Sequence, residues 1–221
     1  MSGGHALSSR PAGSALVSID LVLVTYHDRR LHVRAEPTGK AKGLSLPWGT
    51  PARGEALDAG AVRIAKRTLG TAPAWIEQVG AFADTSAHPA GSSLSVCYAG
   101  VVPWSESPNW REAQSLTMLG GRQRHMVTTT LAALRARLEQ APVAFSLLPR
   151  DFTLSELQQA YETLLGRRLH KASFRRTLQA AFLVHPTGEW RSEGRGRPAQ
   201  LYRYAPRKRK NTRRGIRLDQ L

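Results

Sequence analysis

Residues 49–71, GTPARGEALDAGAVRIAKRTLGT, place a glycine-bounded loop ahead of a helix, and no other stretch of the 221-residue chain restricts its fold as much. Leu57, Ala61, Ile64, Ala65 and Leu69 recur at three- and four-residue spacing, which puts them on one face of a helix from about Ala56 to Leu69. Gly70 then supplies a C-terminal stop. For packing alone the segment is an amphipathic core helix; whether it also carries chemistry depends on the loop before it and on the elements downstream.

Strand signals flank this helix. A β-rich run from Ala15 to Tyr26, a polar turn at His27 to Arg30 and a returning strand at Leu31 to Ala35 predict a β-hairpin. After the helix, strands are predicted around Trp75 to Phe82 and Ser93 to Val102, separated by the loop DTSAHPAGSS. A second long helical pattern covers residues 122–139 through Met126, Leu131, Leu134 and Leu138. Strand, helix, strand and strand in this order suit a mixed α/β sandwich over residues 14–142. Residues 1–13, rich in Gly, Ser and Pro, predict a disordered start. Pro142 marks a domain boundary of the packed kind.

Composition adds the partner class. A hydrophobic share of 41% is that of a globular chain, whereas a net charge of +16 calls for a polyanionic partner. The charge is uneven: residues 1–142 hold 15 Lys/Arg against 10 Asp/Glu, and residues 143–221 hold 17 against 6. Cys97 is the single cysteine, so an intrachain disulfide is excluded and a reducing, cytoplasmic setting is expected. It sits in the alternating run SLSVCYAGVV, as a buried strand residue would. The run SALVSIDLVLV is short and broken by Asp20, so no membrane span is expected. With no paired histidines at ligand spacing, neither is a zinc site.

The basic third has its own pattern. Thr153 followed three residues later by Glu156 predicts a capping box for the helix LSELQQAYETLLG, which Gly166 closes. After the short link RRLH, a second helix is predicted from Lys171 to Phe182, burying Phe174, Leu178, Ala181 and Phe182. Its other face collects Ala172, Ser173, Arg176, Gln179 and Ala180, with Lys171 and Arg175 on the flank. Small residues allow close approach to a major groove, arginine pairs bidentately with guanine and glutamine with adenine. LVHPTGEWRSEGRGRPAQLYRYA predicts two short strands around a basic loop, a wing whose Arg195 and Arg197 would meet phosphates or a minor groove. His170 suits a helix cap or a phosphate contact. This domain spans 143–206, and the basic tail 207–221 adds sequence-independent attraction for phosphate.

Gly49, Glu55, Arg63 and Gly70 resemble four anchors of a Nudix box, and the whole arrangement is similar to the Nudix-related transcriptional regulators of the NrtR type. The segments that carry the likeness are IEQVGAFADTSAHPAGSSLSVCYAGVVP, FSLLPRDFTLSELQQAYETLLGRRLHKASFRRTLQ and PTGEWRSEGRGRPAQLYRY. The resemblance implies an α+β chain, a Nudix-like α/β/α sandwich followed by a winged helix-turn-helix. It implies a homodimeric repressor on an inverted-repeat operator of double-stranded DNA, answering to a small ligand that is ADP-ribose in the members that control NAD metabolism, while other members serve sugar catabolism.

The box is incomplete. Its glutamates after Arg63 are replaced by Ile64, Arg67 and Thr68, and Mg²⁺, which needs clustered oxygen ligands, would meet Lys66 and Arg67. Glu55 alone is left as a carboxylate ligand, so lost hydrolysis and no metal cofactor are expected. Arg53 and Arg63 flank the loop where Nudix relatives place pyrophosphate, and Arg34 on the second strand could reach the same cleft. These residues with Glu55 are the candidate site for a nucleotide or phosphorylated sugar. Equally, Arg63 could serve only as a structural tie to Glu55. Trp48, Thr50 and Pro51 also depart from the usual box loop, which leaves the effector open. Two other readings compete: a divergent Nudix hydrolase acting on nucleoside diphosphate compounds or nucleic acid ends, and a nucleoid-associated protein with no effector.

Overall fold

The computed structural model describes residues 16–39, 43–192 and 197–205. The first sheet is built on β1 (Val17–His27) and β2 (Arg30–Arg34), an antiparallel hairpin in which Thr25 faces His32 and His27 faces Arg30. Its two-residue turn, Asp28 and Arg29, has φ values of 48° and 60°, the left-handed geometry that tight hairpins require. Next in the chain are short strands: β3 (Glu36–Pro37) pairs with β4 (Leu44–Ser45), and β5 (Trp48–Gly49) joins β1. Then come α1 (Leu57–Leu69), β6 (Trp75–Phe82), β7 (Leu94–Val101), β8 (Trp110–Glu112) and α2 (Gly121–Arg137). Strand order is β6-β7-β1-β2-β8, with β1 and β7 parallel and the other pairs antiparallel.

The alternation of β1 explains the layers. Ile19, Leu21 and Leu23 pack with Ala61, Ile64 and Ala65 of α1, while Val22 and Val24 face Met126, Val127 and Leu134 of α2. The result is an α/β/α sandwich. Gly60 lets α1 press on the sheet, since a Cβ there would stand 2.6 Å from Ile19 Cδ1. Gly70 caps α1 at φ 76°, a conformation that favours glycine.

The second part comprises α3 (Val143–Ser146), β9 (Asp151–Thr153), α4 (Leu154–Leu165), α5 (Lys171–Ala180), β10 (Val184–Arg191) and β11 (Ala199–Tyr204). The capping box is formed: Glu156 N donates to Thr153 Oγ1 at 3.1 Å, and Thr153 N to Glu156 Oε2 at 2.7 Å. Two strands were expected around the wing loop; a third, β9, completes the sheet in the order β10-β11-β9. One apolar core runs from Leu134 and Leu138 through Val143 and Phe145 to Tyr161, Phe174 and Leu178, so the chain is packed across Pro142.

The last helix differs from expectation at its end. It stops at Ala180, and Phe182 takes φ 52° and is 49% exposed, so Phe182 is not part of the buried face. No glycine is available there to end the helix, and Phe182 itself makes the left-handed turn that redirects the chain into β10. Phe174 and Leu178 are fully buried, each worth about 1.5–3 kcal/mol relative to exposure, and they hold the helix without Phe182.

Candidate functional site

The loop before α1 folds onto the helix through one carboxylate. Glu55 accepts from Arg63 Nε and Nη2, both at 2.7 Å, and from Ala52 N at 2.8 Å. The Arg63 guanidinium, with help from the Ala52 amide, holds the Glu55 carboxyl down at about 2. Arg63 also donates to Thr50 O at 3.1 Å. Both groups are thereby engaged within the loop.

Beside this tie lies a cleft of about 770 Å³, lined among others by Arg34, Glu36, Ser45, Trp48, Arg67 and Thr68. Arg34, the distant candidate, therefore lines it, whereas Arg53, Glu55 and Arg63 do not. Arg53 is exposed on the turn that precedes α1. The cation contributed by α1 is Arg67, one helical turn beyond Arg63, with Nη2 donating to Trp48 O at 2.8 Å. Arg34 donates to Ser107 Oγ at 2.6 Å, lies over the Trp110 ring at 5.8 Å, and keeps its Nε buried with no partner. Two guanidiniums against Glu36 give the cleft a basic wall suited to an anion.

A buried polar network borders the cleft, and no motif or spacing in the chain announces it. Asp20, fully buried on β1, accepts from Ser18 Oγ at 2.7 Å and Gln123 Nε2 at 3.2 Å, and lies 2.7 Å from His88 Nε2. Ala90 N donates to His88 Nδ1 at 3.0 Å, so Nδ1 is the bare nitrogen and Nε2 carries the proton directed at Asp20. Gln123 accepts from Leu46 N at 3.1 Å, and Trp48 meets the His88 ring edge-on at 5.6 Å. The network thus touches the strand edge and loop that form the cleft wall. In the sequence Asp20 is visible only as an interruption of an apolar run; an acid on an inward-facing strand position was the available signal.

The second candidate surface is α5. Lys171, Ala172, Arg175, Arg176, Gln179 and Ala180 are exposed together. Ser173 is half-buried, its Oγ 3.2 Å from His170 Nδ1 at the helix start, and so stands at the border of that face. Glu156 accepts from Arg191 Nη2 at 2.6 Å, tying the α4 cap to β10, and Arg203 Nε donates to Asp151 at 2.8 Å across β11 and β9. Arg197 is exposed ahead of β11. Arg195 and the tail from residue 206 lie outside the described residues.

Cys97 is fully buried on β7, and burial pushes its thiol up to about 12, as befits a core position. Among the described residues, no helix is long and apolar enough to cross a membrane.

Known proteins resemble the chain in both of its parts. The model of the NrtR DNA-binding winged helix domain matches residues 144–204. The "ADPR responsive transcriptional repressor NtrR" of Acinetobacter baylyi is 31% identical over 142 residues, 59% of this chain; the match spans 56% of that protein's length. The structure of Shewanella oneidensis NrtR complexed with a 27mer DNA is 30% identical, covering 86% of this chain and 94% of that one with a TM-score of 0.75. A second structure of Shewanella oneidensis NrtR gives 28% identity and a TM-score of 0.76, covering 92% of this chain and 98% of that one. A MutT/nudix family protein from Enterococcus faecalis, at 17% identity and a TM-score of 0.66, covers 88% of this chain and 89% of its own and shares the fold.

Proposed function

This chain belongs to the NrtR family of Nudix-related regulators, and on that premise we propose that it is a ligand-responsive transcriptional repressor that binds double-stranded DNA through α5. The observation that carries the proposal is the exposed face of that helix. Lys171, Arg175, Arg176 and Gln179 stand outward while Phe174 and Leu178 anchor the opposite side. Arg176 and Gln179 read base edges in the major groove. Lys171, Arg175, the border residue Ser173 and the wing arginines Arg195 and Arg197 position the protein on phosphates. A homodimer of such domains selects an inverted repeat with half-sites about 34 Å apart, or a multiple of that.

The Nudix-like domain serves as the sensor and not as a hydrolase. Glu55 is engaged by Arg63, and among the described residues no three His, Cys, Asp or Glu side chains converge as a metal site would need. The effector is an anionic nucleotide or sugar phosphate, ADP-ribose first among them, since the Acinetobacter relative is named for it. Arg34 and Arg67 meet its phosphates; the loop held by the Glu55–Arg63 pair, with Arg53 exposed on it, borders them. The helix α2 gives the two sites a physical link. Its first turn carries Gln123, bonded to Asp20 and Leu46, and its last turn carries Arg135, whose Nε donates to Leu164 O at the end of α4 at 2.6 Å. A shift of the cleft wall therefore reaches the DNA-binding helices through one rigid element.

Anisotropy titrations with operator and scrambled DNA, with and without ADP-ribose, test the proposal. Arg176→Ala and Gln179→Ala should each lose about 1–3 kcal/mol of discrimination. Arg197→Ala should weaken both DNAs alike. If the two helix variants leave the operator-to-scrambled ratio unchanged, α5 is not the reading helix.

A further inference from the structure

We propose that the DNA-holding surface extends beyond the winged helix: Arg29, at the tip of the β1–β2 hairpin in the Nudix-like domain, grips a DNA phosphate beside the start of α5. This rests on the DNA-binding reading of α5 and adds to it a contact from the other domain.

A cleft of about 630 Å³ lies where the hairpin tip meets the helix-turn-helix, and Arg29, Arg167, Arg168 and Lys171 line it together. Four cations thus face a single lining carboxylate, Glu162. That carboxylate is already engaged, with Oε1 accepting from Leu169 N at 2.9 Å and from Gln158 Nε2 at 3.0 Å. Arg29, Arg168 and Lys171 are exposed, and none of the three has a carboxylate partner among the described residues. The guanidiniums of Arg29 and Arg168, neither paired with a carboxylate among the described residues, suit a phosphate, which an arginine can bind bidentately.

The hairpin tip supplies an independent observation. Asp28 and Arg29 both take left-handed φ, 48° and 60°, at a turn where glycine or asparagine would sit without strain. A long side chain held in that conformation points to a use for the side chain itself. The turn is also fixed in place, because Thr163 Oγ1 on α4 donates to Arg29 O at 3.4 Å. The occupant is set by the other residues that line the cleft. Lys171 opens the reading helix and residues 167–168 form the turn before it. In helix-turn-helix docking the N-terminal end of the reading helix enters the groove, so a phosphate strand passes along this turn.

The test uses the full chain and Arg29→Gly, a change that removes the guanidinium while relieving the positive φ, so that folding is preserved. A phosphate contact contributes a slope of about −0.9 in log affinity against log salt, which is about an eightfold effect at 0.1 M relative to 1 M. Arg29→Gly should therefore lose about eightfold in affinity per protomer at 0.1 M salt, equally on operator and scrambled DNA, while its Tm stays at or above that of the wild type. Arg29→Lys should recover most of the salt slope. Wild-type affinity and slope in Arg29→Gly would overturn the inference while leaving DNA binding by α5 intact. Absence of salt-dependent binding by the wild-type chain would instead overturn the DNA-binding reading itself. Thermal stabilisation by tripolyphosphate without DNA, abolished in Arg29→Gly while that variant keeps the wild-type DNA affinity and salt slope, would assign the cleft to a small polyanion and likewise overturn the inference.

Discussion

Replacing Asp20 by alanine should cost this protein more than any change in the exposed part of its cleft. The carboxylate is fully buried and receives three hydrogen bonds, from Ser18, His88 and Gln123. A buried donor left without a partner costs about 1–3 kcal/mol, but the three losses are unequal. Ser18 Oγ keeps contacts of 2.9 Å with Ser92 and with Ser95, and Gln123 keeps Ser45 at 3.3 Å. Among the described residues, His88 Nε2 keeps nothing else. The total is therefore about 3–5 kcal/mol, about 1–3 kcal/mol for the stranded His88 donor plus about 1 kcal/mol for each of the other two hydrogen bonds, against a whole-domain stability of about 5–15 kcal/mol. At about 2–4 °C per kcal/mol for a chain of this size, Tm should fall by about 6–20 °C. Urea unfolding of Asp20→Ala, His88→Ala and the double variant would measure the coupling directly. The double variant should lose clearly less than the sum of the two single losses. Strict additivity, or a loss in Asp20→Ala below about 1 kcal/mol, would refute the reasoning.

The cleft and its loop give three further measurable outcomes. With Mg²⁺ or Mn²⁺, turnover of ADP-ribose or nucleoside diphosphate sugars should stay well below about 1 per second; faster turnover abolished by Glu55→Gln would identify a hydrolase. In calorimetry against ADP-ribose and sugar phosphates, Arg67→Ala and Arg34→Ala should weaken binding by about tenfold or more, as loss of a charged hydrogen bond does, while Arg53→Ala changes little; the reverse order would move the phosphate site onto the loop. The third outcome concerns pH. The Glu55 carboxyl is held at about 2, below its ordinary 4.5, chiefly by Arg63. A depressed folded-state value means that the stabilisation is complete above an ordinary carboxyl pKa of about 4.5 and is lost as pH falls toward about 2. The Tm gap between wild type and Glu55→Gln should be constant above about pH 5 and close below it; a gap that persists undiminished in acid would show that the ion pair does not set it.

What the sequence disclosed was whatever local pattern governs. Periodicity placed α1, α2 and α4 because an apolar stripe must face a core whatever that core is made of. The Thr153–Glu156 box and Gly70 and Gly166 marked helix ends because capping is satisfied within a few residues. Phe182 escaped the same logic: an apolar residue in helical phase reads as buried, and nothing local announces that it will take φ 52° and end the helix. The cleft was less legible for a related reason. The four-anchor frame drew attention to Arg63, whose partner is Glu55 a few positions away, yet the guanidinium that lines the cleft is Arg67. Its position depends on how the Trp48 carbonyl lies against α1, a tertiary fact. Asp20 and His88 are separated by 68 residues, and their pairing is set by the parallel register of β1 and β7, with Ser18 opposite Ser95.

Charge was the most informative global quantity and also the one most easily misassigned to a domain. Counting along the chain gives the first 142 residues a modest excess and the remainder 17 basic against 6 acidic residues, which places the polyanion partner on the C-terminal third. The excess in the first part is spatially uneven, however. Arg30 pairs with Glu112 and Arg137 with Glu77, so these cations are neutralised locally. Arg29 is not, and the hairpin carries it to the mouth of a cleft whose other cations come from α5 and the turn before it. By sequence it belongs to the first domain and by position to the cleft beside the start of α5. A phosphate held there would be gripped by both domains at once. Any movement of the hairpin against α4 would then alter the grip without any change in α5 itself.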